Sequence, residues 1–257
     1  MLAIERQEQI KNKLIVEKNV YVAELSEYYD VSFETIRRDL KELEKTGLAK
    51  RTYGGAVLVD KVKNNADYKY LSNIMVDVKQ NIARAAMHYI HPMDCIYIDF
   101  STTCGQLAGM LGEFPINVMT SSLDVMNILS EKENVSLISV GGEWDKDNRA
   151  FQGKTAVETI SQFHLDKAFI SCRAISMDYG ISDKSSMESE MRKAIINSSN
   201  QVYLMVDHSK FNKMAFVKTD TFDRISTVIT DTEPSEEWRQ FFKEHNIHYF
   251  ATDSQSK

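Results

Sequence analysis

From Cys95 onward the chain repeats one unit, a short uninterrupted apolar run followed by a stretch with helical periodicity. The runs are CIYIDF (95–100), INVMT (116–120), VSLISV (135–140), KAFIS (167–171), QVYLMV (201–206) and STVIT (226–230). GQLAGML, Leu123 to Ser130 and Met187 to Ser198 carry the helical pattern between them. A strand apolar on both sides has to be covered on both faces, so this pattern predicts a mostly parallel sheet clad by helices. The repeat begins near residue 79 and defines a large α/β domain over 79–257. Sheets of this kind bind ligands beyond the carboxyl ends of their strands.

The first 60 residues follow a different period. Ile10 and Leu14 share a helical face, and a second short helix spans about Val22 to Tyr28 with Ala23 and Leu25 inward. Asp30 suits a left-handed turn. Ser32 is a good N-cap, and Glu34 falls in the first turn where the helix dipole favours an acid. A third helix over about Phe33 to Lys45 has Phe33, Ile36, Leu40 and Leu43 as its buried stripe, with Gly47 as its stop. Leu48 to Tyr53 and Ala56 to Val59 then read as two short strands around Gly54-Gly55. Helix, helix, turn, helix, hairpin is the order of a winged helix-turn-helix over residues 1–60. The polar segment that follows predicts a linker over 61–78.

Charge and cysteine content narrow the function. The 257 residues carry a formal charge of −6, the wrong sign for a surface that meets phosphates everywhere. Residues 1–63 hold 12 Lys/Arg against 11 Asp/Glu, so the first quarter is the less acidic part. Three scattered cysteines without a CxxC fit a reducing compartment. No apolar run approaches the roughly 20 residues a membrane helix needs, and the N-terminus lacks the apolar core of a signal peptide. A soluble cytoplasmic protein with no membrane partner is expected.

With Ile36 at the centre of the buried face, steps of 100° turn Arg38, Lys41, Glu34 and Lys45 outward and put Arg37 and Thr35 on the flanks. A helix entering a major groove needs its N-terminal half to reach bases and phosphates. Arg37 and Arg38 could clamp phosphate or read guanine, and Lys50, Arg51 and Tyr53 could press the hairpin on the neighbouring backbone. An isolated charged helix is usually a solvated face. The preceding helix, turn, cap and hairpin favour a double-stranded DNA partner.

In the large domain, small polar residues recur at strand ends. Asp99, Ser101, Thr102 and Thr103 follow the first strand and open a helix, and Ser121 and Ser122 repeat the arrangement one strand later. Backbone N–H groups at a helix start beside hydroxyls suit a phosphate, although Ser and Thr also cap helices generally. Gly141 and Gly142 end another strand, where the backbone can approach a ligand closely. Asp207 and Lys210, in VDHSKF, could hold sugar hydroxyls and a phosphate, or form a surface ion pair. Glu188 is a helix N-terminal charge that could bind a hydroxyl, and Lys79 could reach the same cleft from the linker side. No metal site is expected, because His88 and His91 lack a ligand cluster, and no cofactor, because there is no GxGxxG.

YVAELSEYYDVSFETIRRDLKELEKTGLAKRTYGGA resembles the N-terminal motif of DeoR-type transcriptional regulators, most strongly in Thr35 to Leu40 and Arg51 to Ala56. The resemblance implies that Ser32, Thr35, Arg37, Arg38 and Arg51 contact DNA. IDFSTT, MTSSLDV, LISVGGEW, FQGKTA, DKAFIS, ESEMRKAI and VDHSKF resemble, in order, the sensor domain of the same regulators. That domain is related in fold to phosphosugar isomerases and coenzyme A transferases, and the implied ligand is a phosphorylated sugar. SCRAIS (171–176) departs from the family, putting Arg173 where a small residue is usual. Two roles stay open for it, binding a second anionic group of the effector or filling the pocket. The resemblance implies a non-enzymatic repressor of a carbohydrate operon, at least a homodimer on its operator. The alternative is a sugar-phosphate isomerase with an accessory DNA-binding module.

Overall fold

The computed structural model describes residues 3–17, 19–45, 49–58 and 68–255. The chain divides into two compact units, one up to residue 66 and one from residue 67.

The first unit holds α1 (Ala3–Glu17), β1 (Asn19–Tyr21), α2 (Val22–Tyr29), α3 (Phe33–Lys45), β2 (Ala49–Arg51) and β3 (Gly55–Leu58). Its core joins Ile10 and Leu14 of α1 to Leu25, Ile36, Leu40, Leu43 and Ala56. Asp30 ends α2 in the left-handed region at φ 51°, as its side chain tolerates. Ile36, Leu40 and Leu43 are buried, but Phe33 is 53% exposed. It sits in the first turn of α3, where the helix overhangs its packing surface. Val22, not Ala23, turns inward beside Leu25. The three strands form an antiparallel sheet in the order β1, β3, β2. Gly55 pairs with Tyr21 so closely that a Cβ there would lie 1.9 Å from the Val20 carbonyl oxygen, so only glycine fits. Gly47, Leu48 and Val59, expected at element ends, lie outside the described residues.

The second unit opens with α4 (Tyr68–Ser72) and α5 (Val76–Ala86), so residues 68–78, expected as linker, are helical apart from the short bend between them. It continues with β4 (Cys95–Ile98), α6 (Thr102–Ala108), β5 (Ile116–Thr120), α7 (Leu123–Leu129) and β6 (Val135–Ser139). A hairpin of β7 (Glu143–Asp145) and β8 (Ala150–Gln152) leads into α8 (Lys154–Ile160). Then follow β9 (Leu165–Ile170), β10 (Ala174–Ser176), β11 (Gly180–Asp183), α9 (Ser186–Asn197), β12 (Ser199–Met205), β13 (Val217–Asp220), β14 (Thr227–Thr230), α10 (Glu236–Glu244) and β15 (His248–Ala251).

Seven strands form one parallel sheet in the order β15, β14, β12, β9, β4, β5, β6. Successive side chains alternate faces. Tyr97, Ala168, Ile170, Leu204 and Val228 pack under Ala156, Ile195, Trp238 and Phe242. Ile96, Ile98, Phe169, Met205 and Ile229 pack against Ile82, Ala86, Leu107 and Val125 on the other side. That double burial is why the strands read as continuous apolar runs. The sheet grows from β4 through β5 to β6 in one direction, while β9 and its successors lie on the other side of β4. The strand order therefore reverses between β4 and β9, the place where such sheets open a crevice.

Candidate functional sites

The outer face of α3 and the hairpin after it present most of the expected DNA-contacting residues. The Ser32 hydroxyl accepts the Thr35 N–H at 3.3 Å and lies 3.0 Å from the Thr35 hydroxyl, so these two cap the helix as well as edge the surface. Arg37 is exposed and lies 3.7 Å from Glu34 one turn earlier. Arg38, Lys41 and Lys50 are exposed. Arg38 and Lys50 form no ion pair among the described residues, and Tyr53 projects fully into solvent at the hairpin tip. Arg51 differs from expectation: its Nε donates to Glu44 at 2.8 Å and its backbone N–H donates to the same carboxylate at 2.9 Å. These bonds hold the Glu44 carboxyl below its usual range. Beneath this surface Asp39 is buried and accepts from Arg6 Nε at 2.7 Å and Gln7 Nε2 at 2.8 Å. Its place on the inner face of α3 beside Leu40 and Leu43 was the sequence signal for such a pair.

Just beyond the carboxyl end of β4, at the switch point beside β9, Asp99 is fully buried. Its Oδ2 accepts from the Ser171 N–H and from Arg192 Nη2, both at 3.2 Å. Arg192, also buried, lies 2.7 Å from Asp183 and 3.6 Å from Glu188. The 2.7 Å contact is close but poorly aligned, so it counts as an ion pair and not as a hydrogen bond. Burial pushes the Asp99 carboxyl upward against the pull of Arg192. The sequence reading missed Arg192 and Asp183. The signal lay in α9, where Glu188 and Arg192 sit at i, i+4 on the face that carries Ile195.

Glu188 is buried inside this network, accepting from Asn148 at 2.9 Å with Lys184 at 3.4 Å. Arg173 is half-buried; desolvation lowers its pKa against the opposing pull of Glu188 and Asp183. Its neighbours are therefore the acids of the network.

Three further expected residues form a second group. Lys79 of α5 is 4% exposed. Burial foremost, then the Lys210 charge, brings its pKa down to about 8, with Asp207 opposing. Asp207 follows β12, its Oδ1 accepting the Ser209 N–H at 2.9 Å. Its carboxyl lies below the usual range: burial acts upward and is outweighed by Lys210, the Ser209 bonds and Lys79. The Lys210 N–H donates to the Asp207 carbonyl at 3.0 Å and the Lys79 ammonium donates to the Leu71 carbonyl; both lysine charges act on the Asp207 carboxylate, with no ion pair to it among the described residues.

The hydroxyl loops are committed more locally. Ser101 caps α6 by accepting the Cys104 N–H at 3.1 Å, and Ser122 caps α7 by accepting the Val125 N–H at 3.3 Å. Thr102 and Thr103 are buried, and Ser121 accepts from the Tyr97 hydroxyl at 3.1 Å. Gly141 is exposed. Gly142 has φ 138°, and a Cβ there would lie 2.4 Å from the Gln152 carbonyl oxygen, so it serves the fit of the β7–β8 hairpin. Burial pushes the Cys172 thiol up to about 12 and the Cys104 thiol well up, which leaves both unreactive.

A small N-terminal unit with a cationic helix face, followed in the chain by a parallel α/β unit with buried charges at its switch point, is the arrangement of a ligand-responsive transcription regulator. The DeoR-like helix-turn-helix domain matches residues 6–62 and the DeoR C-terminal sensor domain matches residues 74–232. The chain belongs to the DeoR family of transcriptional regulators. It is 34% identical to the uncharacterized HTH-type transcriptional regulator YulB of Bacillus subtilis, covering 90% of each chain. It is 32% identical to the glycerol-3-phosphate regulon repressor of Escherichia coli K12, over 94% of this chain and 98% of that one. Identity to the putative aga operon transcriptional repressor of Escherichia coli O157:H7 is 31%, over 88% and 86%. Among the described residues no helix is long and apolar enough to cross a membrane.

Proposed function

We propose that this chain is a repressor of a carbohydrate operon whose affinity for its operator is set by a phosphorylated sugar, and that it is not an enzyme. The observation that carries the effector class is a buried lysine, Lys79, at 4% exposure, in the field of Asp207 and of Lys210, whose backbone N–H donates to the Asp207 carbonyl at 3.0 Å. Two ammonium groups against one carboxylate leave an excess positive charge in a desolvated place. An anion there relieves both the repulsion and the burial. The phosphoryl group sits between the lysines, and the sugar hydroxyls face Asp207 and the strand-end loops after β4 and β5. The related repressors of glycerol-3-phosphate and aga genes support the same ligand class.

On the DNA side, Arg37, Arg38 and Lys41 of α3 enter the major groove, while Lys50 and Tyr53 of the hairpin rest on the adjacent backbone. Ser32 and Thr35 lie at the N-terminal edge of this surface, close enough to a phosphate for their hydroxyls to contribute. One such unit is too small for tight binding, so the working form is at least a homodimer on a repeated site. Control is by linkage: an effector that prefers one arrangement of the protein shifts DNA affinity by its differential binding, and about 1–3 kcal/mol gives roughly 5–150-fold control.

The test is a thermal-shift screen of the full chain with sugar phosphates and the matching free sugars. A ligand bound only by the folded state raises the melting temperature. Phosphorylated sugars should do so and their free counterparts should not, and Lys210→Ala should abolish the shift. Stabilisation by free sugars, or turnover of a sugar phosphate by the purified protein, would overturn the reading.

A further inference from the structure

The short helix α4 is anchored at both of its ends, through Tyr68 and through Leu71. Tyr68 of α4 donates its backbone N–H to the Asp147 carbonyl at 3.1 Å. Its hydroxyl is acted on by the Asp124 carboxylate, which together with burial raises the phenol's pKa, and it lies against Gly105 of α6, where an added Cβ would be 3.6 Å away. Asp124 is itself gripped by Arg149 through bonds of 2.7 to 3.0 Å. Three residues on, the Leu71 carbonyl accepts from Lys79 Nζ. So α4 is fastened at one end to α6, α7 and the β7–β8 turn, and at the other to a lysine of the proposed phosphate site.

We propose that α4 is an internal competitor of the effector: it fills part of the pocket in the unliganded protein and is displaced when an anion takes Lys79. This inference rests on the sugar-phosphate reading of that pocket.

The chemistry favours the exchange. Lys79 gives up a neutral carbonyl for an anionic phosphoryl oxygen, which adds the attraction of opposite charges and offsets the cost of burying the ammonium. The element given up is only five residues long, too short to hold its helix without tertiary anchors. Its position explains how a pocket event reaches the reader. In sequence, α4 directly follows residues 59–67, which lead from the first unit. Releasing it moves the first anchored element of the sensor from Tyr68 to Val76 and lengthens the tether between the units, which changes how two readers can engage one DNA site.

The test uses the full chain and two conservative variants, Tyr68→Phe and Asp124→Asn, each of which removes one side of the latch. Ribose 5-phosphate, glucose 6-phosphate and fructose 6-phosphate are titrated by calorimetry, and hydrogen exchange is followed over residues 68–74. In the ligand-free variants these amides should exchange roughly tenfold faster than in the wild type, as expected for a lost bond to a carboxylate. The sugar phosphate that binds the wild type should bind both variants several-fold tighter, and should speed exchange of 68–74 in the wild type. Equal or weaker binding by the variants, or slower exchange on binding, overturns the competitor role and leaves the sugar-phosphate reading standing. Failure of all three ligands to bind either the wild type or the unlatched variants removes that reading, and the competitor role with it.

Discussion

Arg51 and Glu44 tie the base of the hairpin to the end of α3: one carboxylate receives both the Nε and the backbone N–H of the same arginine, at 2.8 and 2.9 Å. Both side chains are exposed and screened by solvent, so the pair contributes little to global stability. Its effect is geometric, since it ties the end of α3 to the strand that carries Lys50. Glu44→Ala should therefore weaken operator binding severalfold while leaving thermal stability nearly unchanged. A double-mutant cycle with Arg51→Ala separates two roles. Strong non-additivity in DNA affinity marks Arg51 as a brace, whereas additive losses would mean it contacts DNA independently.

Arg38 projects from the middle of the same helix without an ion pair among the described residues. Arg38→Ala should cost about 1–3 kcal/mol of operator binding if the guanidinium reads guanine. If it clamps phosphate, the loss should instead be nearly uniform across sequences, with the salt slope smaller by about one. The melting of the sensor unit should not change. Operator affinity equal to wild type at every salt concentration would remove α3 from the groove.

Asp39 faces the opposite way and holds the buried guanidinium of Arg6. Removing one member of a buried pair leaves the other charge unpaired, at a typical cost of 3–5 kcal/mol. Asp39→Ala should thus unfold the N-terminal unit at much lower temperature and abolish DNA binding, while ligand-induced stabilisation of the sensor unit persists. Differential scanning calorimetry separates the two transitions. Loss of DNA binding without loss of stability would show that Asp39 acts at the DNA surface.

The parallel sheet was legible because burial on both faces leaves an unmistakable run of apolar residues, as in Ile96 to Ile98 and Tyr203 to Met205. Shorter strands were not. Asn19–Tyr21 buries one side chain, Val20, and HYFA at 248–251 closes the sheet edge with only Ala251 fully buried, so neither imprints a period. Phe33 matched the helical stripe by spacing alone, yet spacing cannot tell where the packing surface ends. Asp99, Asp207 and Lys210 were recognisable as polar groups after strands, and Lys79 as a lysine reaching from the linker side. Arg192 was not, because a charge in an amphipathic helix reads as solvated until the acids it meets, which come from β11 and the end of β4, are brought beside it by the fold. Tyr68 was hidden for a similar reason: YKYLS has too few residues to show a period, and its partners Asp124 and Gly105 lie far along the chain.

The burial of Lys79 makes a prediction about pH. Its ammonium, opposed by burial and by Lys210, has a pKa brought down from 10.5 to about 8. For a lysine the charged form is the protonated one, so a lowered value means that the folded state resists the charge. Below pH 8 the group is protonated in both states and the penalty is fully present. Between pH 8 and about 10.5 the unfolded chain binds more protons than the folded one, so this site's contribution makes stability rise with pH across that window. At about 1.36 kcal/mol per unit, the penalty at pH 7 is on the order of 3 kcal/mol. Lys79→Met keeps most of the side-chain volume and removes the charge. In the absence of ligand it should be more stable than the wild type at pH 7, and this advantage should shrink steadily towards pH 10.5, as read from urea midpoints of the two proteins at each pH. Because other groups titrate alike in both proteins, the difference isolates Lys79 and its coupling to Lys210 and Asp207. The variant should at the same time lose its response to sugar phosphates, since the charge that burial disfavours is the one proposed to attract the ligand. A variant less stable than the wild type at pH 7 would mean that Lys79 is held by favourable partners and is not poised for an anion.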